Sequence, residues 1–120
     1  MASAARRVWR AIVRGSSMEP ALREGDRLLV LPAGPHGLPG LRELPPIGSV
    51  VVVERAGRLD VKRVAAPAAP LPPGTLWLLG DNAAASTDSR TLGPAPLDAL
   101  RGRAIWRSGP RGRRGQIGRG

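Results

Sequence analysis

The sequence contains no cysteine, tyrosine or phenylalanine, and only three tryptophans. Without cysteine there is no disulfide framework and no cysteine metal site. A core in these 120 residues must therefore be built from valine, leucine, alanine and isoleucine. The single histidine, His36, lies in the Gly/Pro stretch 32–40 and has no second histidine with which to bind a metal ion. We expect neither a metal nor another cofactor.

Long apolar runs are also missing. No stretch of about eighteen apolar residues occurs, so we expect no membrane-spanning helix. Residues 1–14 are basic and interrupted by arginine, and the apolar side chains of residues 8, 9, 12 and 13 would share one face of a helix. This pattern predicts a short amphipathic N-terminal helix. We expect a cytoplasmic protein, with peripheral membrane contact through residues 5–15 as a further option.

Basic charge is abundant and uneven. Eighteen of the nineteen basic residues are arginine, and the formal net charge is +10. Seven arginines and no acidic residue lie in residues 101–120, and the Gly/Arg-rich stretch 108–120 is predicted to be a disordered tail. The rest of the chain has a net charge of only +3. We therefore expect no specific nucleic-acid partner, although a basic nucleic-acid-binding β module is an alternative from another class.

The pattern of apolar and turn residues predicts a mainly β fold. Five stretches are typical of strands: residues 27–32, 49–55, 58–66, 75–79 and 101–107. Ala56-Gly57 predicts a hairpin between the second and the third of them. Gly/Pro-rich residues 32–48 and 67–74 are expected to be loops. The predicted architecture is a small, partly open β-barrel or folded sheet, with a core domain over residues 15–107.

Lys62 is the only lysine among the nineteen basic residues, and this makes it a candidate catalytic base. A lysine can lose its proton when it is desolvated, whereas an arginine stays charged. Lys62 lies between Val61 and Val64 in a predicted strand, so its surroundings are apolar. A neutral lysine can activate a serine nucleophile. Ser16 and Ser17 precede Met18 and are candidates for that role, although serines before a turn are also common caps.

Three motifs in this order resemble those of the type I signal peptidase family of Ser–Lys endopeptidases. They are 15-GSSMEPAL-22, Lys62-Arg63-Val64 and 80-GDNAAASTDSR-90, followed by 93-GPAP-96 and 102-GRA-104. The resemblance covers about residues 15–107. It implies that Ser17, directly before Met18, is the nucleophile and that Lys62 is the general base.

The same resemblance implies supporting roles in the last motif. Residue chemistry alone leaves Ser86 and Ser89 both able to orient the lysine amine, and the resemblance favours Ser86. It also implies an ion pair between Asp88 and Arg90, and structural roles for Asp81 and Asn82. The Ser17 amide would stabilise the oxyanion. Some family members place a second donor, a serine, where this chain has Gly15.

Among compact family members, the chain most resembles the bacterial subgroup that matures nickel-type superoxide dismutase. The main prediction is therefore removal of an N-terminal propeptide from a dismutase precursor. An alternative is signal peptidase-like cleavage of secretory precursors, and in both cases the partner is a protein precursor. A self-cleaving repressor-type protease uses similar chemistry, but it would require an upstream DNA-binding domain, and we do not expect one in the 16 residues before Ser17.

Overall fold

A computed structural model describes residues 7–118 of the chain. It contains eight strands: β1 (Trp9–Ile12), β2 (Arg27–Pro32), β3 (Val50–Arg55), β4 (Arg58–Val64), β5 (Thr75–Leu76), β6 (Leu78–Leu79), β7 (Ala95–Pro96) and β8 (Leu100–Gly109). Helical structure in this range is limited to α1 (Ser89–Leu92) and to short 3-10 turns at Ala83–Ala85, Leu97–Ala99 and Arg111–Arg113. None of the described helices is long and apolar enough to cross a membrane.

Six strands form one antiparallel sheet in the order β1-β2-β8-β3-β4-β6. Its outer strands, β1 and β6, do not pair with each other, so the sheet does not close into a barrel. The remaining strands, β5 and β7, form a two-stranded sheet. The prediction of a mainly β, folded-sheet architecture is confirmed. The predicted strand 75–79 is divided between the two sheets, because Trp77 separates β5 from β6.

Strand β3 is central to the packing. Val50, Val51, Val52 and Val53 are all at least 96% buried, because both edges of β3 are paired and both faces are covered. Alternate valines enter two apolar clusters on opposite faces of the sheet. The first contains Val13, Met18, Leu22, Leu28, Val30, Val50, Val52 and Ala104. The second contains Ala33, Val51, Val53, Val64, Leu76, Leu78, Ala95 and Leu100.

The predicted N-terminal helix is wrong over its described part. Residues 9–12 form an antiparallel strand in which Trp9 faces Val30 and Ile12 faces Arg27. Trp9 and Ala11 pack against the first apolar cluster, whereas Ile12 is half exposed. These residues form a strand because they hydrogen-bond to β2, and the amphipathic pattern of the N-terminal sequence does not indicate this pairing. Residues 1–6 of this predicted segment lie outside the described residues.

The stretch 108–118, predicted to be disordered, is folded in the structure. Strand β8 extends to Gly109, and the chain then turns back so that Arg107 bridges to Gly115. We call residues 110–118 the C-terminal strap. Its Arg113 guanidinium binds both carboxylate oxygens of Asp26, each at 2.8 Å. Composition predicted disorder because it cannot show that arginines have specific acceptors elsewhere in the fold. Residues 119–120 are outside the described range.

The strap holds the loop that carries Ser17. Two hydrogen bonds close the neck of this loop: the Val13 amide donates to Asp26 O, and the Gly25 amide donates to Val13 O, each at 2.8 Å. The Asp26 side chain is 1% exposed and also accepts from the Arg23 amide. The hydrogen bond from Arg113 is the main cause that lowers the pKa of Asp26. Arg107 adds a second anchor by donating to Ala21 O at 3.1 Å.

We expect Arg113→Ala to lower the thermal unfolding midpoint by several degrees near neutral pH, because Asp26 is left as a buried, unpaired carboxylate. The pKa of Asp26 is lowered in the folded state, so the pair stabilises the fold above the unfolded value of about 4. The stabilisation is lost as pH falls through the folded pKa. The difference in Tm between wild type and variant should therefore shrink towards pH 3.

Arg111→Ala is the matched control, because Arg111 lies in the same 3-10 turn, is exposed and makes no side-chain hydrogen bond within residues 7–118. It removes the same charge. Calorimetry that finds equal Tm losses for the two variants would show that the strap does not depend on Asp26.

Candidate active site

Lys62 occupies an inward position on β4, opposite Val51 of β3. Its residue is only 6% exposed, although lysine is rarely buried in proteins. The amine nitrogen Nζ lies 3.4 Å from Ser17 Oγ and 3.1 Å from Ser86 Oγ. Three residues from distant parts of the sequence are thus brought together at one point.

Burial sets the ionisation of this amine. Desolvation is the largest influence on Lys62, and it lowers the pKa of the amine below the ordinary lysine value. The carboxylates of Asp60 and Asp88 oppose that shift, whereas the guanidinium groups of Arg58 and Arg55 add to it. The net effect lowers the pKa and increases the neutral fraction of Lys62. The influence of Asp60, which lies two residues before Lys62 and on the same face of β4, was not predicted from the sequence.

The hydroxyl of Ser86 orients the lysine. Ser86 donates to Asp88 Oδ2 at 3.0 Å, which leaves its oxygen free to accept from Lys62 Nζ. An N–H of Lys62 is thereby directed at Ser86, and the lone pair of a neutral amine can face Ser17. Ser89, the other candidate, instead accepts from the Leu78 amide at 2.9 Å and is fully buried. The geometry separates two serines that residue chemistry left equivalent.

The Asp88 carboxylate has an unusually full set of donors. It accepts from the amides of Gly80 and Arg90, from Ser86, and from two nitrogens of the Arg90 guanidinium, the shortest at 2.6 Å. Burial by itself raises the pKa of Asp88, but the hydrogen bonds from Arg90, Gly80 and Ser86 outweigh it and hold the pKa far below its usual range. Asp88 is therefore ionised and fixed in place.

Asn82 and Asp81 have different structural roles. The Asn82 amide donates to Ser17 O at 2.8 Å, and its side-chain Nδ2 donates to Ser16 O at 3.1 Å. Asn82 therefore fixes the main chain of the candidate nucleophile. Asp81 instead accepts two 2.9 Å hydrogen bonds from the Arg63 guanidinium. This second ion pair, between adjacent motifs, was not foreseen from the sequence.

Gly80 is a residue that sequence analysis missed. A Cβ atom at this position would lie 2.1 Å from Ser86 Oγ and 2.8 Å from Ser17 O. Both distances are far shorter than van der Waals contact, so only glycine allows Ser86 and the Ser17 main chain to approach each other. Its position as the first residue of the motif 80-GDN-82 could have marked it as part of the site, but the close contact with Ser86 is visible only in the folded structure.

The surroundings of Ser17 provide one candidate oxyanion donor. Within residues 7–118 the Ser17 amide donates no hydrogen bond, so it is free to bind a developing oxyanion. Gly15 has a φ of +74° and no atom within 4 Å of its Cβ position, so no side chain supplies a second donor there. The Gly15 amide is already used, since it donates to Glu24 Oε1 at 3.1 Å.

A cleft of about 430 Å³ opens over these groups. Residues 12–18 and residues 58–62 of β4 line it, so both Ser17 and Lys62 belong to its lining. Strand β4 gives the cleft one extended backbone segment, which suits an extended peptide. In the described range, no group of three or more His, Asp or Glu side chains is arranged to hold a metal ion.

Comparison with known proteins agrees with this geometry. The family described as "Signal peptidase, peptidase S26" matches residues 60–108. Mitochondrial inner membrane protease subunit 1 of Xenopus tropicalis is 36% identical over an alignment of 113 residues, and this alignment covers 82% of this chain and 68% of that protein. Mitochondrial ATP-independent inner membrane protease subunit 1a of Arabidopsis thaliana is 48% identical over 40 residues, 33% of this chain and 24% of that protein.

These relatives correct two expectations. The prediction of a cytoplasmic location is wrong, because the similar proteins are named as inner membrane proteases. The resemblance to a bacterial, dismutase-maturing subgroup also receives no support, since these relatives are eukaryotic mitochondrial proteins. Short sequence motifs identify the shared chemistry of a family more readily than they identify one subgroup.

The extent of the similarity decides the family. The Xenopus protein is matched over more than two thirds of its length, and the family match covers both the Lys62 and the Asp88 motifs. The chain therefore belongs to the signal peptidase family, peptidase S26.

Proposed function

We propose that this chain is a serine endopeptidase in which Ser17 is the nucleophile and Lys62 is the general base. One observation carries the proposal: the buried Lys62 amine lies 3.4 Å from Ser17 Oγ, with Ser86 on its other side at 3.1 Å. Desolvation lowers the pKa of the amine, which is what a lysine needs in order to act as a base. Membership of a peptidase family supports the same chemistry.

The proposed reaction begins with a neutral Lys62. Its amine takes the proton of Ser17 as Oγ attacks the carbonyl carbon of the scissile bond. The Ser17 amide then donates to the oxyanion of the tetrahedral intermediate. The resulting Lys62 ammonium gives its proton to the leaving amine, and an acyl-enzyme remains. Lys62 next accepts a proton from a water molecule as that water attacks the ester, and it returns the proton to Ser17 Oγ when the second product leaves as a carboxylic acid.

For the substrate, we favour signal peptidase-like removal of an N-terminal segment from a precursor protein. The relatives are named as inner membrane proteases, and this favours processing at a membrane over dismutase maturation. The surface near the cleft is compatible with that setting, because three apolar side chains that line the cleft are about half exposed: Ile12, Leu59 and Leu92. We propose that this surface, rather than an amphipathic helix, provides the membrane contact.

The function is tested by incubating the purified protein with a secretory precursor and with a nickel superoxide dismutase precursor, each with and without anionic vesicles. Mass spectrometry then maps any cut. A single cut in the secretory precursor, stimulated by vesicles, is the expected result. Cleavage restricted to the dismutase precursor would overturn the substrate proposal but leave the peptidase proposal standing.

We expect Ser17→Ala to reduce cleavage by about 10⁴-fold or more, because no other group replaces the nucleophile. Lys62→Arg should be similarly inactive, since its guanidinium stays charged. Ser16→Ala should retain most activity, because the Ser16 side chain makes no hydrogen bond within residues 7–118. The test compares the initial cleavage rates of the three variants with that of the wild type, and circular dichroism checks that each variant is folded. An active Lys62→Arg variant would refute the Ser–Lys mechanism.

We expect activity to rise with pH through the lowered pKa of Lys62, because only the neutral amine accepts a proton. The Asp60 carboxylate raises that pKa, so Asp60→Asn should move the rising limb of kcat/KM to lower pH. Asp98→Asn removes the same charge outside the cleft and should leave the profile in place. A rising limb that Asp60→Asn shifts upward, or leaves unmoved, would argue against Lys62 as the titrating base.

We expect Gly80→Ala to reduce kcat by at least about tenfold, because the new methyl group would displace Ser86 from Lys62. Gly112→Ala is the matched control, since no atom lies within 4 Å of its Cβ position and its φ is not positive. Steady-state kinetics of the two variants test the role of the glycine. Wild-type kcat in Gly80→Ala would mean that the contact with Ser86 is dispensable.

A further inference from the structure

The C-terminal strap contacts both segments that meet at the candidate active site. On one side, Arg113 donates to Asp26, at the neck of the loop that carries Ser17. On the other side, the Gly118 carbonyl accepts from Arg63 Nη2 at 2.7 Å, and Arg63 directly follows Lys62 on β4. The strap therefore connects the loop of the candidate nucleophile with the strand of the candidate base.

Apolar contacts of the strap point to the same loop. The partly buried side chain of Ile117 packs against the first apolar cluster, which includes Met18, the residue directly after Ser17. Gly118 also lies beside the loop, since a Cβ atom at this position would be 3.8 Å from the Ala21 Cβ atom. The end of the strap thus supports the Ser17 loop through packing as well as through hydrogen bonds.

The strap is not packed closely on the sheet along its whole length. Gln116 and Ile117 line a cavity of about 300 Å³ together with residues of β3, β4 and β8. The attachment of the strap therefore depends on a few separate contacts. An element held in this way opens locally at a lower free energy than the whole fold. One substitution in the strap can loosen it while the sheet stays folded.

We propose that the C-terminal strap is a positioning element for catalysis: by holding the Ser17 loop against β4, it keeps Ser17 Oγ within reach of the Lys62 amine. The inference rests on the proposed function, because it assumes that these two groups react with each other. None of residues 110–118 lines the cleft, so the strap acts through the loop and not on the substrate. Its loss should therefore lower kcat and leave KM nearly unchanged.

Steady-state kinetics of Ile117→Ala test this role. We expect kcat to fall by at least about tenfold and KM to change by less than about twofold, because a small displacement of reacting atoms slows the chemical step. Ile117→Val keeps most of the side chain and should recover most of kcat. Ile47→Ala is the matched control, since Ile47 is 67% exposed and lines neither the cleft nor the cavity under the strap. Wild-type kcat in Ile117→Ala would overturn the proposal.

The pH profile separates positioning from a general loss of structure at the site. A displaced Ser17 lowers the plateau of kcat/KM but leaves the midpoint of its rising limb in place, because Lys62 remains buried on β4. Entry of water around Lys62 would instead raise the pKa of its amine towards the ordinary lysine value. A rising limb that Ile117→Ala moves to higher pH would thus assign Ile117 a structural role and refute positioning.

Hydrogen exchange in the full-length protein tests the loop directly. In Ile117→Ala, the Leu22 and Gly25 amides, which are hydrogen-bonded within the loop and at its neck, should exchange faster than in the wild type. Their acceleration should exceed that of the β3 amides, since the loop opens locally. Equal acceleration of both sets would indicate global destabilisation and contradict the proposal.

Failure of the positioning role differs from failure of the proposed function. A wild-type protein that cleaves a precursor, together with an equally active Ile117→Ala variant, would keep the peptidase and reject the role of the strap. A wild-type protein that cleaves no precursor would reject the peptidase. The exchange rates of the loop amides would then decide alone whether the strap holds the loop.

Discussion

The burial of one lysine amine is the constraint on which the rest of this structure depends. Lys62 can sit inside the sheet only if its amine has polar partners that do not force it to stay charged. A serine hydroxyl meets that condition, because Ser86 accepts from the amine without carrying a full charge. Asp88 lies one step further away and shares its negative charge among Arg90, Gly80 and Ser86. Direct pairing with Asp88 would instead stabilise the ammonium form and raise the lysine pKa.

The position of Ser17 is fixed separately, by contacts on two sides of its loop. Asn82 holds the Ser16 and Ser17 carbonyls, and Gly80 provides the space for this approach. On the other side, Arg113 of the C-terminal strap donates two hydrogen bonds to Asp26, at the neck of the loop that carries Ser17. A loop that carries a functional residue is normally mobile. These contacts restrict the motion of this loop, because proton transfer depends on the distance between Ser17 Oγ and the Lys62 amine.

The sequence predicted those features whose cause is local. Strand β2 follows from an apolar run, and the β3–β4 hairpin follows from a β-branched run and the Ala56-Gly57 turn. The motif residues Ser17, Lys62 and Ser86 do meet in space. Prediction from the sequence failed where the cause is distant. Pairing with β2 turns residues 9–12 into a strand, and Asp26 orders a strap that composition predicted to be disordered. The contact at Gly80 and the influence of Asp60 likewise need the folded chain.

The use of arginine and lysine along the chain now has a physical explanation. Each buried or half-buried carboxylate that holds the site together is paired with an arginine: Asp26 with Arg113, Asp81 with Arg63, and Asp88 with Arg90. The planar guanidinium binds two oxygens at once and keeps its charge, which suits a fixed support. The proposed general base must be able to become neutral, and this position, residue 62, is occupied by the only lysine of the sequence. The same property that makes arginine a good support therefore excludes it from the place of Lys62.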